Sequence, residues 1–363
     1  MRTEQVFKIS GLIQPHVRDT WLARAGSQLG RFDSRSGQFG ARYDSAESAF
    51  TQRALTFIDT QIFATLIPPL KARTFIPTSV KGNPGDESYL WRKFTRTGVA
   101  RLFAPGAALD LPRANFYQEE INQRFYPVGA KLVYSYFDLL AIGAALANGQ
   151  PVDVVGQSLM AALEAVEKKL DIMAAFGTAA PPTGFVLETE ADVGMTGLLN
   201  NANATVYTIP NGAAGSQAWS TKTPYEILAD LHGIVGGQIA STYEVHSPDT
   251  IIVPISQFQT QLVRPMSDVD STPIIKVFQE TRQAMGAPVA IHPWMYNAGA
   301  GSGATDRMVA FKRDPRMFEH ILAMDATPLA PTTAGLETTQ PVVAKSAGVI
   351  VRYPLSISVG DGI

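Results

Sequence analysis

The longest run of regularly spaced apolar residues lies within VDVVGQSLMAALEAVEKKLDIMAAFGTAAPPTGF, residues 152–185. Its apolar positions recur at intervals of three and four, which predicts one helix with a continuous apolar stripe. The stripe consists of Leu159, Leu163, Val166, Leu170 and Met173. About 25 residues of helix would extend roughly 40 Å at 1.5 Å per residue. Gly177 is well placed to end this helix.

Shorter patterns precede the long helix. The segment SAESAFTQRALTFIDTQIFATLIPPL, residues 45–70, has apolar residues at helical spacing and two prolines near its end, so it predicts a helix. The next segment, KARTFIPTS, predicts a short strand because it is rich in β-branched and aromatic residues. A further short helix is expected over residues 137–147.

Residues 82–134 predict two long strands joined by a polar excursion. The first strand, SYLWRKF, places Tyr89 and Trp91 on one face, and the chain returns as FYQEEINQRFYPVGAKLVYSYF. This extended hairpin has too few apolar residues to cover both of its faces. Because an isolated hairpin is marginally stable in water, we expect another surface to pack against it.

The region from about residue 185 to residue 345 mixes helices and strands. TPYEILADLHGIVGGQIAST predicts a helix with Thr223 as its N-cap, and STPIIKVFQETRQA predicts another. The predicted strands are TIIVPIS, APVAIHPWMY and RMVAFKRD, followed by the β-rich C-terminal segment AGVIVRYPLSISVGDGI. This order of elements indicates a mixed α/β region.

The first 44 residues are polar and cannot make a core of their own. Residues 1–43 contain seven Arg or Lys against three Asp or Glu, so the segment is mildly basic. One interpretation is a disordered tail. The other is an arm that becomes ordered only by lying on another subunit, and both interpretations stay open.

Composition excludes several classes of protein. The 363 residues carry a formal net charge of −2, so the chain as a whole is not a basic nucleic-acid binder. The absence of cysteine excludes disulfides, thiolate zinc sites and cysteine nucleophiles. No apolar stretch approaches the roughly 20 residues of a membrane span. The N-terminal sequence also lacks the order of a signal peptide, so we expect a soluble protein made in the cytoplasm.

Two short motifs suggest enzymatic chemistry, but each has a plainer explanation. Residues 268–272, DVDST, fit the D-x-D-x-T pattern of haloacid-dehalogenase-like phosphotransferases, in which the first Asp attacks phosphate. Here the motif follows a polar turn rather than a hydrophobic strand, and Ser271 or Thr272 as the N-cap of the next helix explains it better. The segment AGAGSGATD, residues 298–306, has the glycines of a phosphate-binding loop without its Gly-Lys-Ser/Thr ending. We expect it to be a flexible loop.

The histidines do not suggest a metal site. No histidine lies three or four residues from another, so no helical pair of ligands exists in the sequence. We therefore expect no metal and no cofactor. The five histidines are His16, His232, His246, His292 and His320.

Arginines and aromatic residues share the N-terminal arm and the predicted hairpin. A solvated surface is the default explanation of such charges, but Arg and aromatic side chains on elements without a core are typical of protein interfaces. We therefore predict contacts between subunits at these positions. They are Trp21, Arg24, Arg31, Arg35, Phe39 and Arg42 in the arm, and Tyr89, Trp91, Arg92, Phe94, Arg96, Arg101, Phe103 and Arg113 in the hairpin.

The order of these parts resembles the Hong Kong 97-type major capsid proteins of tailed double-stranded DNA phages. It resembles more closely a family of phage major capsid proteins once described as a domain of unknown function. The stretches that carry the resemblance fall within residues 45–363: LTFIDTQIFATLIPPLKARTFIPTS, DLPRANFYQEEINQRFYPVGAKLVYSY, the long helix with its FG exit, GMTGLLNN, DRMVAFKRDP and AGVIVRYPLSI. Each motif is modest, and their collinear order is specific.

The resemblance implies an α+β capsid fold in six parts. They are an N-terminal arm (1–44), a helix leading into the P-domain (45–71), the E-loop hairpin with adjoining P-domain strands (72–134), the P-domain with its spine helix (135–189), the A-domain (190–342) and a C-terminal strand that returns to the P-domain (343–363). Gly177 and Gly184 would form a hinge between the P-domain and the A-domain.

The resemblance also implies a structural protein rather than an enzyme. Its subunits would form hexamers and pentamers of an icosahedral shell around double-stranded DNA, and would be assembled in the cytoplasm of the host. The implied partners are copies of the chain itself, a portal, scaffolding or decoration proteins, and DNA held by enclosure, with no membrane. Two alternatives are an encapsulin-type nanocompartment shell and a phosphohydrolase that uses Asp268 and Asp270.

Overall fold

The computed structural model of the chain describes residues 68–102, 112–147, 154–179 and 195–363. Four short 3-10 turns also lie in these ranges, and all four connect elements of the C-terminal half. The α-helices of the described residues are α1 (Ala72–Phe75), α2 (Tyr136–Ala147), α3 (Val154–Phe176), α4 (Pro224–Ser241), α5 (Ile255–Thr260) and α6 (Ile274–Ala284).

The described ranges also contain twelve strands. The strands are β1 (Thr78–Val80), β2 (Ser88–Thr97), β3 (Asn115–Arg124), β4 (Tyr126–Ser135), β5 (Thr205–Val206), β6 (Thr250–Val253), β7 (Ala290–Pro293), β8 (Arg307–Phe311), β9 (Phe318–Pro328), β10 (Thr332–Ala334), β11 (Glu337–Val351) and β12 (Ile357–Asp361). They form two five-stranded sheets and one two-stranded hairpin.

The first sheet is built around the long strand β11. It has the order β1-β9-β11-β10, and β4 pairs antiparallel with β11 from Glu337↔Ser135 to Ser346↔Tyr126. Side chains of β4 and β11 alternate between the two faces, so one face carries Val342, Ala344 and their neighbours. Helix α3 covers this face, which makes the sheet and the helix one layered core.

Helix α3 confirms the prediction of a long amphipathic helix. It runs for 23 residues, and Val166 and Leu170 of the predicted stripe are each about 1% exposed. Its last turn is buried on every side because residues 170–176 run into the centre of the protein. Gly177 follows directly with φ +66°, the left-handed conformation that ends a helix at low cost only for glycine.

The second sheet has the order β5-β12-β8-β6-β7 and lies between two layers. Ile251 and Val253 of β6 face helices α4 and α6, whereas Ile252 faces the buried end of α3. The three inner strands of this sheet, β12, β8 and β6, therefore bury both of their faces. For β6 this explains why four residues in a row, TIIV, are buried and why three of them are apolar.

Helix α4 confirms the predicted N-cap. The Thr223 hydroxyl accepts a hydrogen bond from the Glu226 amide, and the Glu226 carboxylate accepts one from the Thr223 amide at 2.7 Å. The prediction for α6 is wrong, because Pro273 occupies its N-cap and makes no side-chain cap. Instead, the Asp270 carboxylate accepts a hydrogen bond from the Thr272 amide at 3.0 Å, which closes the preceding turn.

The predicted strand KARTFIPTS is also only partly correct. Its first half forms the single turn of α1, whose Ala72 amide donates to the buried Asp171 carboxylate of α3 at 2.7 Å. Phe75 of that turn packs edge-on against Trp294, with ring centroids 5.6 Å apart. Only β1, which pairs parallel with β9, is a strand. Contacts distant in sequence select the helical turn over the local β preference.

The C-terminal segment differs from the single returning strand that we expected over residues 343–363. Strand β11 begins before this range, at Glu337, and belongs to the first sheet. Strand β12 pairs antiparallel with β8 and parallel with β5 in the second sheet. The turn at Pro354–Ser356 separates the two strands, because proline cannot continue the hydrogen-bonded ladder.

Candidate functional site

Strands β2 and β3 form a hairpin whose two faces have different surroundings. They pair from Ser88↔Arg124 to Thr97↔Asn115, so residues directly opposite share a face. Tyr89 and Trp91 lie on one face, as the sequence predicts, and both are half-buried against the cluster around Phe125 and Ile350. The root of the hairpin is therefore packed on the chain's own first sheet.

A cluster of charged side chains around the buried Glu319 connects this root to the first sheet. The Glu319 carboxylate of β9 accepts hydrogen bonds from Lys81 at 2.6 Å and from Arg352 at 2.8 Å, and it also binds Ser79. Burial alone raises the pKa of Glu319, but these hydrogen bonds outweigh it and leave the pKa below its usual range. The Arg352 guanidinium reaches the Tyr89 hydroxyl at 3.5 Å, which links the cluster to the hairpin.

The other face of the hairpin has no covering layer in the described part of the chain. Leu90, Phe94 and Phe116 on this face are 49%, 60% and 70% exposed. Arg96 lies opposite Phe116 and is also exposed. Arg92 pairs with Glu120 across the strands at 2.8 Å. Large apolar side chains alternating with arginine on an exposed strand face are typical of a surface that is buried on association.

The remaining predicted contact residues lie either beside the hairpin strands or outside the described residues. Arg101 and Arg113 lie in exposed segments that flank the hairpin strands. Those outside the described residues are Trp21, Arg24, Arg31, Arg35, Phe39, Arg42 and Phe103, together with the predicted hinge residue Gly184.

Helix α2 presents an apolar surface that our sequence analysis missed. Tyr136, Phe137 and Leu140 are each more than half exposed, and Asp138 is the only charged residue among the twelve of the helix. The Tyr136 amide donates to the Leu336 carbonyl at 2.7 Å, which places the exposed Leu336 at the same end of the first sheet. The near absence of charge in YFDLLAIGAALA is the signal that could have revealed this surface.

Gly177 lies in a tightly closed joint between α3 and the chain from residue 195 onward. The Thr178 amide donates to the Met195 carbonyl at 3.1 Å, and the Leu198 and Leu199 amides donate to carbonyls in the last turn of α3. A Cβ atom on Gly177 would lie only 2.1 Å from the Met195 carbonyl oxygen. The described part of the predicted hinge is thus closely packed, and the hinge role itself stays a prediction.

The two motifs with a possible catalytic role lie in exposed or internally hydrogen-bonded turns. Asp268 and Asp270 lie in an exposed turn, and Asp270 is occupied with the Thr272 amide. In the glycine-rich loop, the Gly299 and Ser302 amides already donate to the Asp306 and Asp361 carboxylates. These carboxylates stand where a phosphate would have to bind.

The described residues offer neither a cluster of metal ligands nor a membrane-spanning helix. Residues 68–102, 112–147, 154–179 and 195–363 contain no group of three or more His, Asp or Glu side chains that could hold a metal ion. None of the helices in the same ranges is long and apolar enough to cross a membrane.

Comparison with known proteins identifies a family that matches most of the chain. The family described as Major capsid protein matches residues 98–363. No curated protein sequence matches the chain.

Solved structures share the fold at low sequence identity. "The capsid of Myoviridae Phage XM1" superposes with a TM-score of 0.69 at 14% identity, covering 87% of this chain and 100% of that one. A chain of Mycobacterium phage Adephagia has a TM-score of 0.54 at 13% identity, over 84% and 94% of the two chains. The "Capsid of native GTA particle" has a TM-score of 0.53 at 14% identity, over 88% and 99%. The α+β capsid fold expected from the sequence is confirmed, and the chain belongs to the family of major capsid proteins.

Proposed function

We propose that this chain is the subunit of an icosahedral shell, arranged in hexamers and pentamers, that encloses double-stranded DNA. A role as a structural shell protein follows from the family. The observation that supports assembly most directly is the exposed apolar face of the β2–β3 hairpin. Because this face has no core of its own in the described residues, its burial requires a neighbouring subunit.

The proposal assigns a role to each part of the chain. The arm (1–44) and the E-loop hairpin reach neighbouring subunits, and the segment 45–71 leads into the P-domain. Residues 72–134 contain this hairpin together with the adjoining P-domain strands β1 and β4. The P-domain (135–189), with α3 as its spine helix, and the A-domain (190–342) form the body of the subunit, and β9 and β10 at the end of the second range pair within the P-domain sheet. The strand β11 joins the P-domain sheet, and Gly177 and Gly184 form the hinge between the two domains.

The proposed partners follow from the same function. Each subunit binds copies of itself, and the shell binds a portal and, where present, scaffolding or decoration proteins. DNA is held by enclosure, which agrees with a chain of net charge −2 because a strongly basic wall would bind the phosphates. The protein is located in the virion capsid, and we propose that it assembles in the cytoplasm of the host.

The two alternative functions receive less support. The match to the major capsid protein family favours a phage capsid over an encapsulin-type nanocompartment. A phosphohydrolase would need a pocket around Asp268 and Asp270, and both residues are exposed on a turn. We propose a structural role without enzymatic activity and without a cofactor.

The test is electron microscopy of the purified protein and of two variants. We expect the wild type to form shells or capsomers, and Phe94→Ser to reduce assembly at least about tenfold, because burying one large aromatic side chain contributes more than 1.4 kcal/mol. Tyr225→Ser is the matched control, since Tyr225 is 64% exposed on α4 outside the hairpin. A wild type that stays monomeric at high concentration contradicts the proposed function. Shells of Phe94→Ser at the wild-type yield contradict the role of the hairpin face.

A further inference from the structure

An open groove of about 570 Å³ lies beside the root of the β2–β3 hairpin. One wall is formed by β2, and the other by the loop before β9 and the turn after β11. Its lining combines cations with aromatic rings: Lys81, Trp91, Arg92, Lys93, Phe94, Pro315, Arg316, Arg352 and Tyr353.

The charges of this groove are only partly neutralised within the described part of the chain. Glu319 balances one of the two cations Lys81 and Arg352, and Glu120 balances Arg92. Lys93 and Arg316 form no ion pair with any of the described residues. The groove therefore carries an excess of positive charge beside the exposed rings of Phe94 and Tyr353 and the half-buried ring of Trp91. Such a surface suits a ligand with carboxylates on either side of an apolar group.

The chain displays such a group on the turn between α5 and α6. Val269 is 98% exposed, and it stands between the exposed carboxylates of Asp268 and Asp270. The turn is held in shape by its own hydrogen bonds: the Ser267 amide donates to the Asp270 carbonyl at 3.2 Å, and the Asp270 amide donates to the Ser267 hydroxyl at 3.0 Å. A preformed projection loses little conformational entropy when it binds.

We propose that the acidic turn 267–271 of one copy docks into the basic groove of a second copy. Val269 would contact the rings of Trp91 and Tyr353, while Asp268 and Asp270 would pair with Lys93 and Arg316. The inference rests on the proposed function, because it names one contact through which neighbouring subunits recognise each other. Charge complementarity and the exposed valine favour this occupant over the phosphates of DNA, which offer no apolar group between the charges.

The experiment exchanges the charges of the two surfaces. The groove variant is Lys93→Glu with Arg316→Glu. The turn variant is Asp268→Lys with Asp270→Asn, since Asn keeps a side-chain oxygen for the Thr272 amide. We expect each variant alone to assemble at least about tenfold less than the wild type, because like charges meet across the contact. The two variants combined in one chain should restore assembly to within about twofold.

A remote compensation controls for net charge. Glu280→Lys with Glu244→Gln changes the charge by the same amount as the turn variant, at exposed residues outside it. When added to the groove variant, this pair should not restore assembly. Equal rescue by the remote pair, or no rescue by the turn variant, overturns the inference.

Two further outcomes distinguish this inference from DNA binding by the groove and from failure of the proposed function. If the groove variant forms normal shells but packages less DNA, the groove binds phosphate and the inference is overturned. If the wild type forms no shell in the same assay, the proposed function fails and the inference fails with it. Wild-type shells without rescue by the charge exchange overturn the inference alone.

Discussion

At the scale of single residues, Gly177 shows how close packing can make one position intolerant of any side chain. Its φ of +66° costs a non-glycine residue about 1 kcal/mol, and a Cβ atom would collide with backbone rather than with a movable side chain. We expect Gly177→Ala to lower the free energy of unfolding by about 3 kcal/mol or more. Urea denaturation followed by circular dichroism measures this loss.

Gly286 supplies the matched control for this substitution. It also follows a helix, with φ +73°, but a Cβ atom there would meet nothing within 4 Å. Gly286→Ala should therefore cost only the conformational strain, about 1 kcal/mol. Equal losses in the two variants would show that strain alone, and not the contact with Met195, explains the requirement for glycine.

His320 makes the stability of the protein depend on pH. The side chain is 2% exposed, and its ring lies 2.9 Å from the Ser346 hydroxyl. Burial lowers the pKa of His320 to about 4, whereas an unfolded histidine titrates near 6.5. Protonation therefore favours the unfolded chain, so the stabilising effect is complete above about pH 6.5 and is lost as the pH falls toward 4.

Because His320 is protonated more readily in the unfolded chain, we expect it to lower the free energy of unfolding by about 2 kcal/mol between pH 7 and pH 5. Burial raises the pKa of Glu167 and Asp171, which changes stability in the opposite direction, so the wild type alone does not isolate the effect. The measurement is the difference between wild type and His320→Gln in urea denaturation at both pH values. A variant that loses as much stability as the wild type would contradict the assignment.

At the scale of elements, the start of helix α4 depends on a buried ion pair. Lys222 and Asp230 lie 2.6 Å apart with side chains that are each 1% exposed, and the Trp219 indole also donates to Asp230 at 2.9 Å. We expect Lys222→Met to cost about 3 kcal/mol, because it leaves the carboxylate buried without its cation. Thermal or urea unfolding measures this loss.

The exposed pair Lys276–Glu280 on α6 is the control, since its atoms are 3.7 Å apart in solvent. Lys276→Met should change the stability by less than about 0.5 kcal/mol. If the double variant Lys222→Met, Asp230→Leu is as unstable as Lys222→Met alone, the buried charge is not the cause of the loss.

At the scale of the whole molecule, assembly should change the hairpin more than the two sheets. The distal half of β2 and β3 is exposed on both faces, whereas β6 and β8 are almost completely buried. In the unassembled subunit we expect rapid amide hydrogen exchange around Thr95 and Tyr117 and strong protection in the second sheet. In the shell the hairpin amides should become protected.

Hydrogen exchange with mass spectrometry of free and assembled protein measures this difference. Residues 250–253 serve as the internal control, because their protection should be the same in both states. Equal protection of the hairpin in the free subunit and in the shell would contradict burial of its exposed face by a neighbour.

The sequence alone predicted the elements whose stabilising contacts are local. The apolar stripe of α3, the Thr223 cap and the common face of Tyr89 and Trp91 follow from spacings of two to four residues. The collinear order of such segments carried the resemblance from which the α+β capsid fold was expected. The same patterns could not place α1 or the N-cap of α6, since these depend on Asp171 and Pro273 in their tertiary settings.

Only the tertiary structure decided which strands share a sheet and which surfaces stay uncovered. The separation of β11 from β12 depends on ladders between residues far apart in sequence, for which no local spacing carries a signal. The exposed face of the hairpin, the closed joint at Gly177 and the basic groove likewise become visible only when distant segments are placed side by side. Local patterns specify what each segment forms, whereas packing between segments determines which side chains are left for a neighbouring subunit.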